Sequence, residues 1–124
     1  MMKLKDYFSN NFETKEDHEM DSLRTRYYRG RNEQVKEVAY ALIKNEKGTI
    51  TDDIPQFSEI IFNTSTYSAT LTIISPKMTE TAIDIKVTTY YTIAAGRGKK
   101  IIERFYKYFD SNLPFKGVSL YRGM

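Results

Sequence analysis

The segment "TAIDIKVTTYYTI", residues 81–93, carries the clearest secondary-structure pattern in this chain. Apolar and polar residues alternate along it, and a period of two is typical of a β-strand with one buried face. The residues expected on one face are Ile83, Ile85, Val87, Thr89 and Tyr91, and those expected on the other are Asp84, Lys86, Thr88 and Tyr90. The pattern predicts a strand over 82–93 in an antiparallel sheet, because such sheets bury one face and hydrate the other.

Three more strands are predicted upstream of this segment. They cover 23–28 ("LRTRYY"), 57–63 and 67–75, each with alternating or β-branched residues. The linkers "TST" and "PKMTET" are only a few residues long, which favours antiparallel hairpins. We therefore expect a sheet of about four strands.

Two amphipathic helices complete the predicted fold. Over 33–45, apolar residues recur at the spacing of one helix face, and a second stripe runs over 98–112 before Pro114 prevents continuation. The predicted order is β-α-β-β-β-α. It indicates an α+β two-layer sandwich with both helices on one face of the antiparallel sheet.

The first 21 residues differ from the rest in composition. They combine Asn, Asp, Glu, Lys and Thr with isolated aromatics, and Leu4, Phe8 and Phe12 are spaced as on a short helix. We expect 1–21 to form a polar arm, flexible or briefly helical, that does not belong to the core. Residues 22–124 are then predicted to form a single α+β domain.

The composition indicates the cellular compartment in which the protein is expected to act. The 124 residues include no cysteine, which excludes disulfides and thiolate chemistry. The N-terminal stretch has no apolar core of a signal peptide, and no apolar run approaches the ~20 residues of a membrane span. We expect a cytoplasmic protein with no membrane partner.

No catalytic, metal or cofactor site is predicted. The "GRGKK" segment, residues 96–100, lacks the Ser or Thr that a phosphate-binding P-loop requires, and Ile101 replaces the third glycine of a dinucleotide fingerprint. It is better interpreted as a corner that leads into a helix. His18 is the only histidine and lies in the polar arm. We therefore expect no cofactor and no enzymatic activity.

Two short basic segments carry the positive charge of the chain. Residues 22–31 and 96–107 each have a net charge of +4, against +3 for the whole chain. If they meet in space, they would bind an anion or a nucleic acid through phosphate pairing and aromatic stacking. The residues expected to make these contacts are Arg24, Arg26, Arg29, Arg31, Arg97, Lys99, Lys100 and Arg104.

Protein binding is the leading functional interpretation. Five tyrosines exceed what a small core needs, and tyrosine is favoured in interfaces. They are Tyr90, Tyr91, Tyr106, Tyr108 and Tyr121. The edges of an open sheet also offer pairing with a partner or across a homodimer axis. The expected interface residues are Tyr28, Tyr90, Tyr106 and Tyr121. Two alternatives stay open, namely nucleic-acid or anion binding and a small-molecule site between sheet and helices.

Three strings together carry a family resemblance. "LRTRYYRG", "TAIDIKVTTYYTI" and "LPFKG" resemble segments of a family of small cytosolic proteins from Gram-positive bacteria without assigned function. The resemblance covers about residues 22–117. It implies one compact α+β domain, and it implies no activity and no functional residues.

Overall fold

The computed structural model describes residues 10–90 and 95–120. Seven strands and two α-helices lie in these ranges, with short 3-10 turns at Asp21–Leu23 and Pro55–Phe57. The strands are β1 (Asn11–Glu13), β2 (Arg26–Arg29), β3 (Thr49–Ile54), β4 (Glu59–Asn63), β5 (Tyr67–Lys77), β6 (Glu80–Thr89) and β7 (Phe115–Val118). The helices are α1 (Asn32–Asn45) and α2 (Arg97–Asn112).

All seven strands form one antiparallel sheet in the order β3-β4-β5-β6-β2-β7, and β1 also pairs with β6. One edge of β6 pairs with β5 along most of its length. The other edge is shared, because β1 pairs with residues 86–88 and β2 pairs with residues 80–83. β6, which carries the clearest alternation in the sequence, is thus the most extensively paired strand of the sheet.

The predicted α+β class and antiparallel sheet are confirmed, but a sheet of four strands is wrong. The missed strands are β1, β3 and β7. Nearly every residue of β3 is exposed, so its sequence, "TITDDI", carries no alternation of apolar and polar residues. β1 has three residues and β7 has four, which is too short for a periodic signal.

The predicted faces of β6 are confirmed over its described length. Ile83, Ile85 and Val87 are buried, whereas Lys86 is exposed and Asp84 is only half-buried. Both helices contribute to the same hydrophobic cluster as these β6 residues. Their buried apolar residues in this cluster are Val35, Ala39, Leu42 and Ile43 of α1 and Ile101, Ile102, Phe105, Tyr106 and Phe109 of α2. We call the sheet face that carries Ile83, Ile85 and Val87 the first face.

The two glycines of the "GRGKK" segment have different structural roles. Gly96 immediately precedes α2 in the left-handed conformation, with φ +72°, which a residue with a side chain adopts at a cost. Gly98 is buried against β1, where an added Cβ would lie 2.7 Å from Phe12 Cδ2. The segment is therefore a helix start that also permits close packing of α2 on β1.

The expectation of an arm outside the core is wrong for residues 10–21. Phe12 is 7% exposed and lies in a strand rather than a helix, and Met20 is also buried in the core. The Thr14 N–H donates to the Ile85 carbonyl at 2.9 Å, which continues the pairing beyond β1. Leu4 and Phe8 lie outside the described residues, and the division of the chain into domains stays a prediction.

Replacing Phe12 tests whether β1 belongs to the fold. We expect Phe12→Ala to lower the free energy of unfolding by about 3 kcal/mol, because truncating a buried ring leaves a cavity between β1 and α2. Urea denaturation monitored by circular dichroism measures this change. Met78→Ala is the control, since Met78 is 80% exposed and should change stability by no more than about 0.5 kcal/mol. Equal stabilities of the two variants would show that β1 does not dock in solution.

Candidate functional site

Strand alternation creates a second sheet face with a different composition from the first. Thr72 and Ile74 of β5 and Ala82 and Asp84 of β6 lie between the core residues of their strands and therefore point away from the core. Ile74 is 52% exposed, and none of these four residues belongs to the hydrophobic core cluster. We call this side of the sheet the second face.

A shallow cleft on the second face follows from the strand register. Ala82 pairs with Ile74 on β5 and with Tyr27 on β2, so a small residue lies between two large ones. The cleft has a volume of about 160 Å³ and is open to solvent. Its lining residues are Glu16, Thr25, Tyr27, Thr72, Ile74, Pro76, Ala82 and Asp84. We call it the Asp84 cleft.

Asp84 lies where the partner of β6 changes from β1 to β2. Its Oδ1 accepts hydrogen bonds from the hydroxyls of Thr14 and Thr25, both at 2.6 Å. The Thr14 hydroxyl also accepts from the Ile85 N–H at 2.9 Å, so the junction is held by side chains as well as by the backbone. Asp84 Oδ2 accepts no hydrogen bond from the described residues.

The electrostatics of the Asp84 cleft are acidic. Burial raises the pKa of Asp84, the hydroxyls of Thr14 and Thr25 partly counteract this, and the nearby charges of Glu16 and Glu13 raise the pKa further. The Tyr27 hydroxyl donates to Glu16 Oε1 beside it. The described residues that line the cleft include no Lys or Arg. The cleft thus combines two carboxyl groups, of which one is partly desolvated, with apolar walls.

The eight basic residues predicted to bind an anion have diverse partners. Four of them form ion pairs within the chain. These pairs are Arg24–Asp21, Arg26–Asp110, Lys99–Glu103 and Arg104–Glu46. Arg29, Arg31, Arg97 and Lys100 are exposed. Part of the predicted positive charge is therefore neutralised locally.

The structure does not bring all of these cations to one surface. Arg31 lines a cleft with Ser75, near the end of β5. Arg97, Lys100 and Arg104 line a different cleft of about 210 Å³, together with Thr66 and Tyr67 at the start of β5. Residues 67 and 75 are on the order of 26 Å apart along an extended strand. We call the second of these clefts the α2 cleft.

Arg26 has a structural environment that the sequence did not predict. Its guanidinium lies 5.2 Å from the ring centroid of Tyr106 and 5.0 Å from that of Phe115, and it donates to Asp110 Oδ2 at 3.0 Å. These contacts connect β2 with α2 and β7 through cation–π and charge-assisted interactions. Arg26 therefore joins elements of the fold rather than lining either cleft.

The expectation that Tyr28 and Tyr106 form an interface is wrong, because both rings are buried in the core. The Tyr28 hydroxyl donates to Asp110 Oδ1 at 2.6 Å, and the Tyr106 hydroxyl donates to the Ile83 carbonyl at 2.8 Å. Burial raises the pKa of both phenols, so they remain neutral donors. Tyr90 is 55% exposed, and Tyr121 lies outside the described residues.

Sequence reasoning missed the Asp84 cleft because its walls come from distant strands. The alternation in 82–93 places Asp84 on the hydrated face of its strand, whereas the structure leaves it only partly exposed. Glu80, at the start of β6, is buried and paired with Lys116. The signal available in the sequence was the small residue Ala82 two positions before Asp84, on the same face of the most regular strand. Over residues 10–90 and 95–120, no group of three or more His, Asp or Glu side chains is placed to hold a metal ion.

The pH dependence of stability tests the charge state of Asp84. A carboxyl group whose pKa is raised on folding favours the folded state below its unfolded pKa, and this contribution is lost as the pH rises through the folded pKa. Asn retains the acceptor oxygen without the charge. We therefore expect Asp84→Asn to be more stable than the wild type at pH 7, by an amount that shrinks toward pH 3.

Urea denaturation across this pH range measures the effect, with Asp52→Asn as the control because Asp52 is exposed on β3. The stability of Asp52→Asn relative to the wild type should not increase as the pH rises. A loss of stability in Asp84→Asn at pH 7 would mean that the folded protein compensates the Asp84 charge fully.

Comparisons with protein-family models, curated proteins and solved structures gave no significant match. The resemblance to small proteins of Gram-positive bacteria therefore stays a prediction. Neither α1 nor α2 is long and apolar enough to cross a membrane, and the same holds for every helix among the described residues.

Proposed function

We propose that this protein acts by binding rather than by catalysis, and that it docks another protein on the second face of its sheet. In this proposal α1 and α2 form one layer over the first face, so the chain is a two-layer sandwich. Among residues 10–90 and 95–120, the core cluster that includes both helices contains no residue of the second face. In this proposal the second face is the binding surface. The observation that carries the proposal is the Asp84 cleft.

The size of the Asp84 cleft favours a protein partner. Pockets that enclose small molecules typically have volumes of about 300–1,000 Å³, whereas this cleft has about 160 Å³ and is open. It is large enough for one side chain. Exposed Ile74 and Pro76 beside it provide apolar surface that a partner would cover. Single exposed apolar residues are common, but here they flank a partly desolvated carboxyl group.

Several features favour a different protein over a second copy of this chain. β3, at one end of the strand order, carries Asp52 and Asp53 and an irregular register, and charged, irregular strands resist edge pairing. A two-fold dimer centred on the cleft would bring the Asp84 and Glu16 carboxyls of both copies together. Two of the four tyrosines expected at an interface are buried. The occupant we propose therefore belongs to a different chain.

Site-specific photo-crosslinking in the native cell tests this proposal. We expect benzoylphenylalanine at position 74 or 86, on the second face, to give a discrete adduct with another protein. The same group at position 37 or 41, exposed on α1, should give at least fivefold less of it. Mass spectrometry identifies the adduct, and binding of the purified partner confirms it. Equal labelling from both faces, or a homodimer adduct only, would contradict the proposal.

A second function, binding of a small anion, is favoured by the α2 cleft. Arg97, Lys100 and Arg104 converge there, and the first turn of α2 has no acidic residue. Arg104 is held in place by a bidentate pair with Glu46 and lies over the Phe105 ring, with 5.9 Å to the centroid. The nearby carboxylates of Glu46 and Glu103 would repel an extended phosphate backbone. The cleft therefore suits one phosphate group better than a nucleic-acid strand.

Charge reversal within α2 tests anion binding. Inorganic phosphate at constant ionic strength should stabilise the wild type by about 1 kcal/mol when it is several-fold above its dissociation constant. Lys100→Glu should lose this gain, because Lys100 lines the cleft. Lys107→Glu makes the same charge change on an exposed position of α2 outside the cleft and should retain it. Thermal denaturation measures all three proteins, and identical responses of the two variants would exclude the site.

A further inference from the structure

We propose that the Asp84 cleft accepts a lysine side chain, with its aliphatic stem over Ala82 and its ammonium group between Asp84 and Glu16. This inference rests on the proposed function, because the lysine belongs to the protein that docks on the second face. Three features of the cleft support it: its shape, the acceptors that remain at its acidic end, and its charge balance.

The shape of the Asp84 cleft fits an unbranched apolar stem. Ala82 forms the floor because it pairs across the sheet with both Ile74 and Tyr27, whose larger side chains stand on either side. Pro76 extends the apolar wall along β5. Lysine buries its methylene groups along such surfaces while its charged end stays in a polar environment. A short or branched side chain would leave either the floor or the acidic end without a contact.

The remaining acceptors select lysine over arginine. Arginine pairs best with a carboxylate through two parallel N–H donors, which requires both oxygens. Asp84 Oδ1 already accepts two hydroxyl hydrogen bonds, from Thr14 and Thr25, so this bidentate geometry is blocked. An ammonium group is a compact charge with three donors. It can reach Asp84 Oδ2, and the hydroxyl of Thr72, which pairs directly across from Asp84, is a further acceptor.

The charge balance of the cleft also favours a cation. Glu16 and Asp84 contribute two carboxyl groups, and the described lining residues contribute no positive charge. Burial disfavours the ionised form of Asp84 and raises its pKa, and no Lys or Arg among the described lining residues compensates the charge. An incoming ammonium group would do so in a partly dehydrated site, where an ion pair is stronger than at an exposed surface. The cleft thus has apolar walls and an acidic end, complementary to lysine.

Titration of the ¹⁵N-labelled full-length chain with capped amino acids tests this inference by NMR. The probes are N-acetyl-lysine methylamide, the corresponding arginine derivative and the norleucine derivative, which keeps the apolar stem without the charge. We expect the lysine probe to bind in the millimolar range and to shift the amide signals of Thr72, Ala82 and Asp84. Its affinity should exceed that of the other two probes at least fivefold.

Two variants separate the roles of charge and shape. Asp84→Asn should weaken binding of the lysine probe at least tenfold while the protein stays folded, since the substitution removes a partly buried charge rather than a packing contact. Ala82→Leu keeps both carboxyl groups but fills the floor, and should weaken binding similarly. Asp52→Asn, on the exposed strand β3, should bind as the wild type does.

Equal affinities for the lysine and arginine probes, or unchanged binding by Asp84→Asn, would overturn the inference. The photo-crosslinking result is independent of these outcomes. If position 74 crosslinks to a protein partner but the lysine probe shows no preference, the inference falls and the proposed function stands. If the lysine probe binds as expected and no protein crosslinks, the chemistry of the cleft is supported and the proposed function falls.

Discussion

The pairing of β6 on both edges is the constraint on which the rest of the structure depends. β5 pairs with one edge, and β1 and β2 share the other. At the junction between β1 and β2, side chains supply hydrogen bonds to the β6 backbone. Thr14 accepts from the Ile85 N–H, and the Tyr106 hydroxyl donates to the Ile83 carbonyl. Buried backbone groups need partners, so these two side chains allow the change of neighbouring strand.

The same strand connects the core with the Asp84 cleft. Its residues alternate between the apolar first face and the second face, so the packing that buries Ile83 and Ile85 also determines where Asp84 lies. Asp84 is then fixed further by Thr14 and Thr25, which belong to the segments on either side of the junction. The cleft is therefore built on a strand that is paired along both edges, which is a favourable setting for a binding site.

Periodic patterns in the sequence predicted the central part of the fold. The alternation in β6 and the apolar stripes of α1 and α2 are local signals, and the structure contains all three elements. β1 could not be predicted, because three residues gain their strand conformation only by pairing with β6, whose Val87 lies opposite Phe12. The tyrosines show the same limit. Tyr28 packs in the core, and Asp110, far away in sequence, accepts the hydrogen bond that its buried hydroxyl needs. No local pattern contains that information.

The candidate site was even less predictable than the fold. Asp84 occupies a polar position in the alternating pattern of β6, so its sequence context indicates a solvated residue. Its partial burial arises from Thr25, which precedes β2, from Tyr27 on β2 and from Thr72 on β5, which only the strand register brings together. The basic residues were predicted as one group by composition. The structure separates them, because Arg31 lies near the end of β5 whereas Arg97, Lys100 and Arg104 lie near its start. The sequence alone does not show which end of the sheet each side chain reaches.

The position of β6 along the chain has a consequence for biosynthesis. β1 and β2 lie near the start of the chain, yet the edge with which they pair belongs to residues 80–88. At a translation rate of about 5–20 residues per second, the ~75 residues between Phe12 and Val87 correspond to roughly 4–15 s. Throughout that interval β1 and β2 lack the β6 edge with which they pair in the folded protein. β1 and β2 are thus synthesised well before their pairing partner, and transiently unpaired strands of this kind are prone to aggregation.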